Sequence, residues 1–422
     1  MQKAKLSNRN EEDKELTDYH HIIIANGNIK TMEEGQEFVG SILVQGDKIT
    51  KIIKHPLQTS LPDETELKET FGLTADSAVK IFNASGRWVL PGFIDAHSHI
   101  GIGEEIYQYE GDDLNEMTDP LTPELRAIDG INPEDEAFRD ARLGGVTAAF
   151  TGPGSANVLG GTGTVIKTAG RIVEEMIVRD PAGLKAAFGE NPKFVYGEQK
   201  KMPMTRMGTA ALLRQALVDA QVYRDKLEQG KKDPDKLPER DLGLETINMV
   251  LDRKIPLRAH AHRVDDIMTA IRIAQEFNLD LVLDHCTDGH KIADILKEYG
   301  YPAVVGPSLT GRSKVELKDR TFETPGILAR AGIKVAIMTD HSVTPIQYLP
   351  LCAALAVKSG MDEEDALKAI TIWPAEILGV AHRIGSLAEG KDADLVVWNG
   401  KPLSFHAVPE VVLINGRVVK PE

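Results

Sequence analysis

Cysteine is nearly missing from this chain: its 422 residues hold two, Cys286 and Cys352. Two cannot build a disulfide framework, and no Cys-x-x-Cys occurs. That excludes a zinc ribbon and a thioredoxin-type motif, and it points to a reducing compartment. Aromatic residues make up only 5%, which speaks against a pocket built on extensive stacking. No apolar run approaches the roughly 20 residues needed to span a bilayer. Positive charge is in the minority, with 49 Lys and Arg against 64 Asp and Glu and a formal net charge of −15. Such a surface repels phosphate backbones and argues against a nucleic-acid partner. Residues 1–19 are charged and lack an apolar h-region, so they read as a disordered polar tail and not as a secretory signal. The expectation is a cytoplasmic protein with no membrane or nucleic-acid partner.

The composition that remains, 42% hydrophobic and 27% charged, is that of a globular chain with ample core material. Its length suits one large domain and a smaller one. Residues 20–90 read as short strands. The β-branched run His21–Ala25 ends in Asn26-Gly27, a hairpin signal, and a second hairpin turns at Gln45-Gly46-Asp47. Residues 376–422 mirror this, with a hairpin expected at Asn415-Gly416. Short hairpins need a partner with an apolar face, so both ends are expected to form one small β-sandwich. Between them, residues 91–375 alternate apolar runs with amphipathic stretches such as Ala210–Glu228 and Val264–Phe277. That alternation predicts an α/β fold with parallel strands, and the length fits a (β/α)8 TIM-like barrel. A doubly wound sheet competes, but Pro91-Gly92-Phe93-Ile94-Asp95 is not the glycine-rich loop it would bring.

The histidines are placed less randomly than the rest. His97 and His99 close one apolar run, His260 and His262 a second, and His285 a third, while Asp340 and then His341 follow a fourth. The C-terminal strand ends of a parallel barrel converge on one face. Side chains two apart on a strand point the same way, so His97 and His99 can reach one ion. Imidazole with carboxylate is the donor set of open catalytic metal sites. A single histidine at a strand end is more often structural; the joint pattern is what points to a metal.

Pro91-Gly92-Phe93-Ile94-Asp95-Ala96-His97-Ser98-His99 resembles the PGxIDxHxH signature of the amidohydrolase superfamily, the metal-dependent hydrolases. Gly144-Gly145-Val146-Thr147 and the tail Ile384–Leu395 extend the likeness, and the chain looks most like the imidazolonepropionase-like group. The resemblance implies that His97, His99 and Asp340 bind a first divalent metal. Asp340 would also be general base and acid. His260 and His285 would bind a second metal or orient the substrate, with His285 also able to polarise it. One or two metals per chain are implied, zinc first, with manganese, iron or nickel as alternatives. The bridge between two metals, a glutamate or a carboxylated lysine after the fourth strand, is assigned to Glu190 or, less well, to Lys167. Each has a plain alternative, Glu190 as a turn carboxylate and Lys167 as a surface lysine. His262 and His341 are either further ligands or groups that orient ligands or substrate.

The expected activity is hydrolysis of a C–N bond in a small-molecule amide, cyclic amide or amidine. A metal would lower the pKa of a water towards about 7, and Asp340 would pass its proton to the leaving nitrogen. A prolidase-like dipeptidase is the alternative within the superfamily, and a non-catalytic scaffold the alternative outside it. Arg206 and Arg312 are candidates to clamp a substrate carboxylate, or are simply solvated. Glycine-rich Thr151–Ser155 and Leu159–Gly163 read as flexible loops, or as loops whose backbone N–H groups receive an anion. Homo-oligomers are common among such barrels.

Overall fold

The computed structural model describes residues 20–33, 36–55, 63–106 and 108–419. The expected polar tail lies outside them. The chain opens with β1 (His21–Lys30), β2 (Glu37–Gln45), β3 (Lys48–Lys54), β4 (Val79–Asn83) and β5 (Trp88–Pro91). Asn26-Gly27 does not turn a hairpin. β1 runs straight through it as a bulge, with Asn26 at φ 57° and a register shift between Ile24 and Gly27. The bulge lets one strand edge serve two neighbours, β4 before it and β5 after it. A Cβ on Gly27 would lie 2.6 Å from Val89 Cγ2, so the glycine is needed for close packing and not for a turn.

The middle of the chain supplies β6 (Phe93–Ser98), β7 (Val146–Thr151), β8 (Leu159–Lys167), β9 (Ile177–Ala187), β10 (Leu257–Ala261), β11 (Leu281–His285), β12 (Ala303–Val305) and β13 (Val335–Ile337). They form an eight-stranded sheet in chain order. Its seam between β13 and β6 is bridged at one end by His99 N–H to His341 O (2.8 Å) and Asp340 N–H to His97 O (3.2 Å). At the other end Ala369 and Ile370 fill it, accepting from Ile337 and Ile94 (2.9 and 2.8 Å). The result is the expected TIM-like barrel with one departure. β8 runs antiparallel to both neighbours. A parallel crossover needs roughly a dozen residues or more, and the short link Gly152–Val158 cannot supply one.

Leu159–Gly163, expected as a loop, is the first half of β8. Its glycines admit neighbours that a side chain would exclude: a Cβ on Gly163 would strike the Phe150 ring, and one on Gly161 would lie 2.5 Å from Leu125 O. Glycine in a strand interior marks such close approach, which is why the segment is hard to read as a strand.

The chain ends in β14 (Leu395–Trp398), β15 (Pro409–Ile414) and β16 (Arg417–Val418). Asn415 and Gly416 both have positive φ, as a tight hairpin turn requires. β14 pairs with β5, which joins both ends of the chain in one eight-stranded sheet. That sheet folds over on itself. Ile22, Ile42 and Ile49 from one side share a core with Leu395, Leu413 and Val418 from the other.

Barrel and sheet meet around Trp398, buried against Phe93 with ring centroids 5.1 Å apart, and around a buried ion cluster. Lys167 is no surface lysine. Because β8 is reversed, its last residue lies at the barrel end away from the strand-end histidines. There Lys167 Nζ binds Asp392 Oδ2 (3.0 Å) and Asp394. Lys48 and Arg383 bind Asp392 as well (2.5 and 2.9 Å).

Candidate metal centre

Parallel strands deliver their C-terminal residues to one rim, and the histidines arrive there as expected. His97 and His99 come from β6, His260 and His262 from β10, His285 from β11, and Asp340 from just beyond β13. His285 and Asp340 adopt left-handed backbone, φ 71° and 54°, uncommon for such residues and concentrated at functional sites. Their donor atoms form two groups, His97–His99–Asp340 and His260–His262–His285, within 4.8 Å of one another in each.

In the first group, Asp340 Oδ1 lies 3.3 Å from both His97 Nε2 and His99 Nε2. His99 Nδ1 bonds the Gly152 carbonyl (2.7 Å), which leaves its Nε2 as a lone pair aimed at Asp340. Behind His97, Asp284 Oδ2 stands 3.1 Å from Nδ1. Arg258 donates to Asp284 Oδ1 and to Ala96 O (both 2.7 Å) and stacks over Phe150. Burial alone would raise the Asp284 pKa, but Arg258 and His97 outweigh it and hold the group ionised. Burial likewise works against ionised Asp340, and His285, His97 and His99 overcome it.

In the second group every Nδ1 is anchored: His260 on Ser155 Oγ (2.8 Å), His262 on Thr287 Oγ1 (2.7 Å) and His285 on Gly306 O (2.9 Å). Every Nε2 is buried without a hydrogen-bond partner. Buried polar atoms are normally satisfied, and three orphaned ring nitrogens converging on one point are the donor set a cation fits. Burial lowers the pKa of all three rings, His262 to about 3 and the others well below their ordinary value. They are therefore neutral at neutral pH, as metal ligation requires.

Two residues missed in the sequence complete the centre. Lys185, on β9, is fully buried with Nζ 3.4 Å from His97 Nε2. Burial lowers its pKa to about 8. A lysine inside the apolar run Leu184–Phe188 was the signal available. Glu316, in the loop after β12, is buried with no hydrogen bond on Oε1, which lies 3.7 Å from His262 Nε2, 4.0 Å from His260 Nε2 and 3.9 Å from Lys314 Nζ. Burial raises its pKa to about 7. No periodic signal marked it.

The other expected residues fall outside the two groups. Glu190 begins a helix and pairs back-to-back with Glu316: its N–H donates to Glu316 Oε2 (3.1 Å), and its Oε2 accepts from Glu316 N–H (3.3 Å). It meets the histidines only through Glu316. Arg206 is paired with Asp266 (2.9 Å). Arg312 donates to the carbonyls of Lys318 and Arg320 (2.8 and 3.3 Å). His341 is buried beside the first group, its Nδ1 accepting from Ile346 N–H (3.3 Å).

Fold and donor set define the class: a TIM-like barrel with two candidate cation sites on its C-terminal face. Residues 88–419 match the amidohydrolase family, and the chain belongs to that family. It is similar to the crystal structure of an amidohydrolase from Thermotoga maritima MSB8, at 46% identity and a TM-score of 0.87, covering 94% of this chain and 99% of that one. An amidohydrolase of Hapsidospora irregularis is 30% identical over 402 residues, 90% of this chain. The match spans only 40% of that relative's length. An imidazolonepropionase of Colwellia psychrerythraea is 24% identical over 408 residues, 89% of this chain and 90% of that one. No helix among the described residues is long and apolar enough to cross a membrane.

Proposed function

We propose that this protein is a metal-dependent hydrolase of C–N bonds in small-molecule amides, cyclic amides or amidines. The observation that carries the reading is the three orphaned, buried Nε2 atoms beside the His97–His99–Asp340 group. His97, His99 and Asp340 would hold one divalent cation and His260, His262 and His285 the second, with the Glu316 carboxylate beside His262. Such imidazole-rich sets suit zinc, and also manganese, iron or nickel.

A cation held there supplies Lewis acidity and lowers the pKa of a water. The chain's own groups do the rest. Asp340, its carboxylate facing His97 and His99, would take the proton of the attacking water and deliver it to the leaving nitrogen. That exchange is worth roughly 10²–10⁴-fold. Neutral His285 donates Nδ1–H to Gly306 O, so its Nε2 is a lone pair; this favours a ligand over a proton donor to the carbonyl. Lys185 takes the bridging place first assigned to Glu190. Its neutral amine could add CO2 and lose one proton, and the resulting carbamate would supply the carboxylate that Glu190 was expected to give. His341 braces the first group through its backbone carbonyl, which accepts from His99 N–H.

Elemental analysis of the purified protein tests the reading. Two equivalents of a divalent transition metal per chain are expected, with release of amine or ammonia from a panel of N-acyl amino acids, lactams and dipeptides. A chain that neither carries nor takes up metal overturns the proposal and leaves a non-catalytic scaffold.

A further inference from the structure

The long helix Arg206–Gly230 buries one side against the barrel strands through Leu213, Leu217 and Ala220. Its other side is apolar too, and uncovered. Exposed hydrophobic residues scattered singly are normal on a protein surface, but here they gather. Of the large hydrophobic residues that stand exposed, eight fall between residues 194 and 242, among them Met204, Met207, Val218, Val222 and Leu237. Met207, Ala211, Val218 and Val222 are all exposed, with Arg214 and Gln215 between them. A spacing of three or four residues places them along one face. The stripe runs for about four turns, and its period is the one that helices use to pack on helices.

Charge says what covers it. A formal charge of −15 keeps copies of this chain apart over most of its surface. Residues 193–232 do not share that excess: they carry nine bases and four acids. Three of the arginines are neutralised from neighbouring elements, Arg206 by Asp266, Arg214 by Glu276 and Arg224 by Asp252. That leaves the face close to neutral. Asp225 continues the stripe at one end, while Lys200 and Lys201 stand exposed at the turn before the other. Among the described residues, neither Asp225 nor Lys200 has an ion partner.

We propose that this face pairs with the same face of a second copy, the two helices running antiparallel about a two-fold axis beside Gln215. A two-fold interface must be self-complementary, and this stripe is. Turned end for end, it sets Met207 against Val222, Ala211 against Val218, and Asp225 towards the Lys200–Lys201 turn. The small Ala211 on either side of the axis lets the helices approach closely. A stable interface covers about 800 Å² on each copy, so the flanking residues take part. Leu237, which closes over Gly230 at the helix end, would meet Met204 of the second copy.

Sedimentation of the purified full-length chain across a dilution series tests the pairing. At micromolar concentration the mass of two chains is expected. Val218→Glu buries an unpaired carboxylate against Ala211 of the second copy and should weaken association at least about 100-fold. Val218 is exposed in the single chain, so the variant should keep its far-ultraviolet circular dichroism spectrum. Gln215→Cys adds an exposed thiol to a chain whose own two cysteines are buried. Mild oxidation should link two copies through it, and should link Val408→Cys, exposed elsewhere, far more slowly. A monomer throughout the series overturns the proposal and leaves the face to a different protein. A dimer that survives Val218→Glu, or one that Gln215→Cys cannot link, overturns it as well.

Discussion

Single side chains carry most of the chemistry, and Lys185 is the most informative of them. A buried amine close to His97, with its pKa lowered to about 8 by burial, is costly unless something at the centre uses it. Lys185→Met preserves the volume and removes the nitrogen. We expect it to lower metal content from two equivalents to one or none by elemental analysis, and to cut hydrolysis roughly 10²-fold or more. Two retained equivalents would return the bridge to Glu190 or Glu316. The strand-end histidines were legible because each ends an apolar run, and that pattern survives without knowledge of pairing. Glu316 was not, because it sits in an irregular loop whose path the sequence does not encode as a period. Glu190 was chosen as the carboxylate following the fourth expected strand, yet it turns to the Glu316 backbone.

At the scale of elements, β8 is the instructive strand. Its reversal brings Lys167 to the barrel's far end, where Asp392 and Asp394 fix it. Burial would raise the Asp392 pKa, but Lys167, Lys48 and Arg383 bring it down to about 2. A depressed carboxylate stabilises the fold fully above its ordinary value of 3.8 and loses that contribution as pH falls towards 2. Lys167→Met leaves two buried carboxylates short of a partner and should cost on the order of 3 kcal/mol at pH 7 in urea unfolding. Its stability should also fall less steeply than the wild type's below pH 4. A deficit under about 0.5 kcal/mol at pH 7 would show the cluster to be dispensable. Gly163→Ala probes the same strand. The added methyl meets the Phe150 ring and should destabilise by about 1–3 kcal/mol, read as a lowered thermal midpoint; an unchanged midpoint would mean the ring moves aside freely.

Across the whole molecule, the ends of the chain depend on each other. β14 lies between β5 and β15, so it is interior to the sheet that both termini build. A chain stopped after Arg383 strips Asp392 and Asp394 from Lys167 and Trp398 from Phe93. It should be insoluble or lack a cooperative melt by circular dichroism. A truncated chain that melts cooperatively would show that the barrel stands alone.

The order of apolar runs, the histidines that end them and the PGxIDxHxH stretch determined the family, the barrel and which histidines share its rim. These signals are local: side-chain period and residue type are properties of the chain itself. The tertiary structure alone decided the direction of β8, the bulge at Asn26-Gly27 and the placing of Lys185 and Glu316 beside the histidines. Each depends on which distant segment lies alongside. A short link sets strand direction, Val89 closes over Gly27, and burial beside His97 changes what a lysine amine can do.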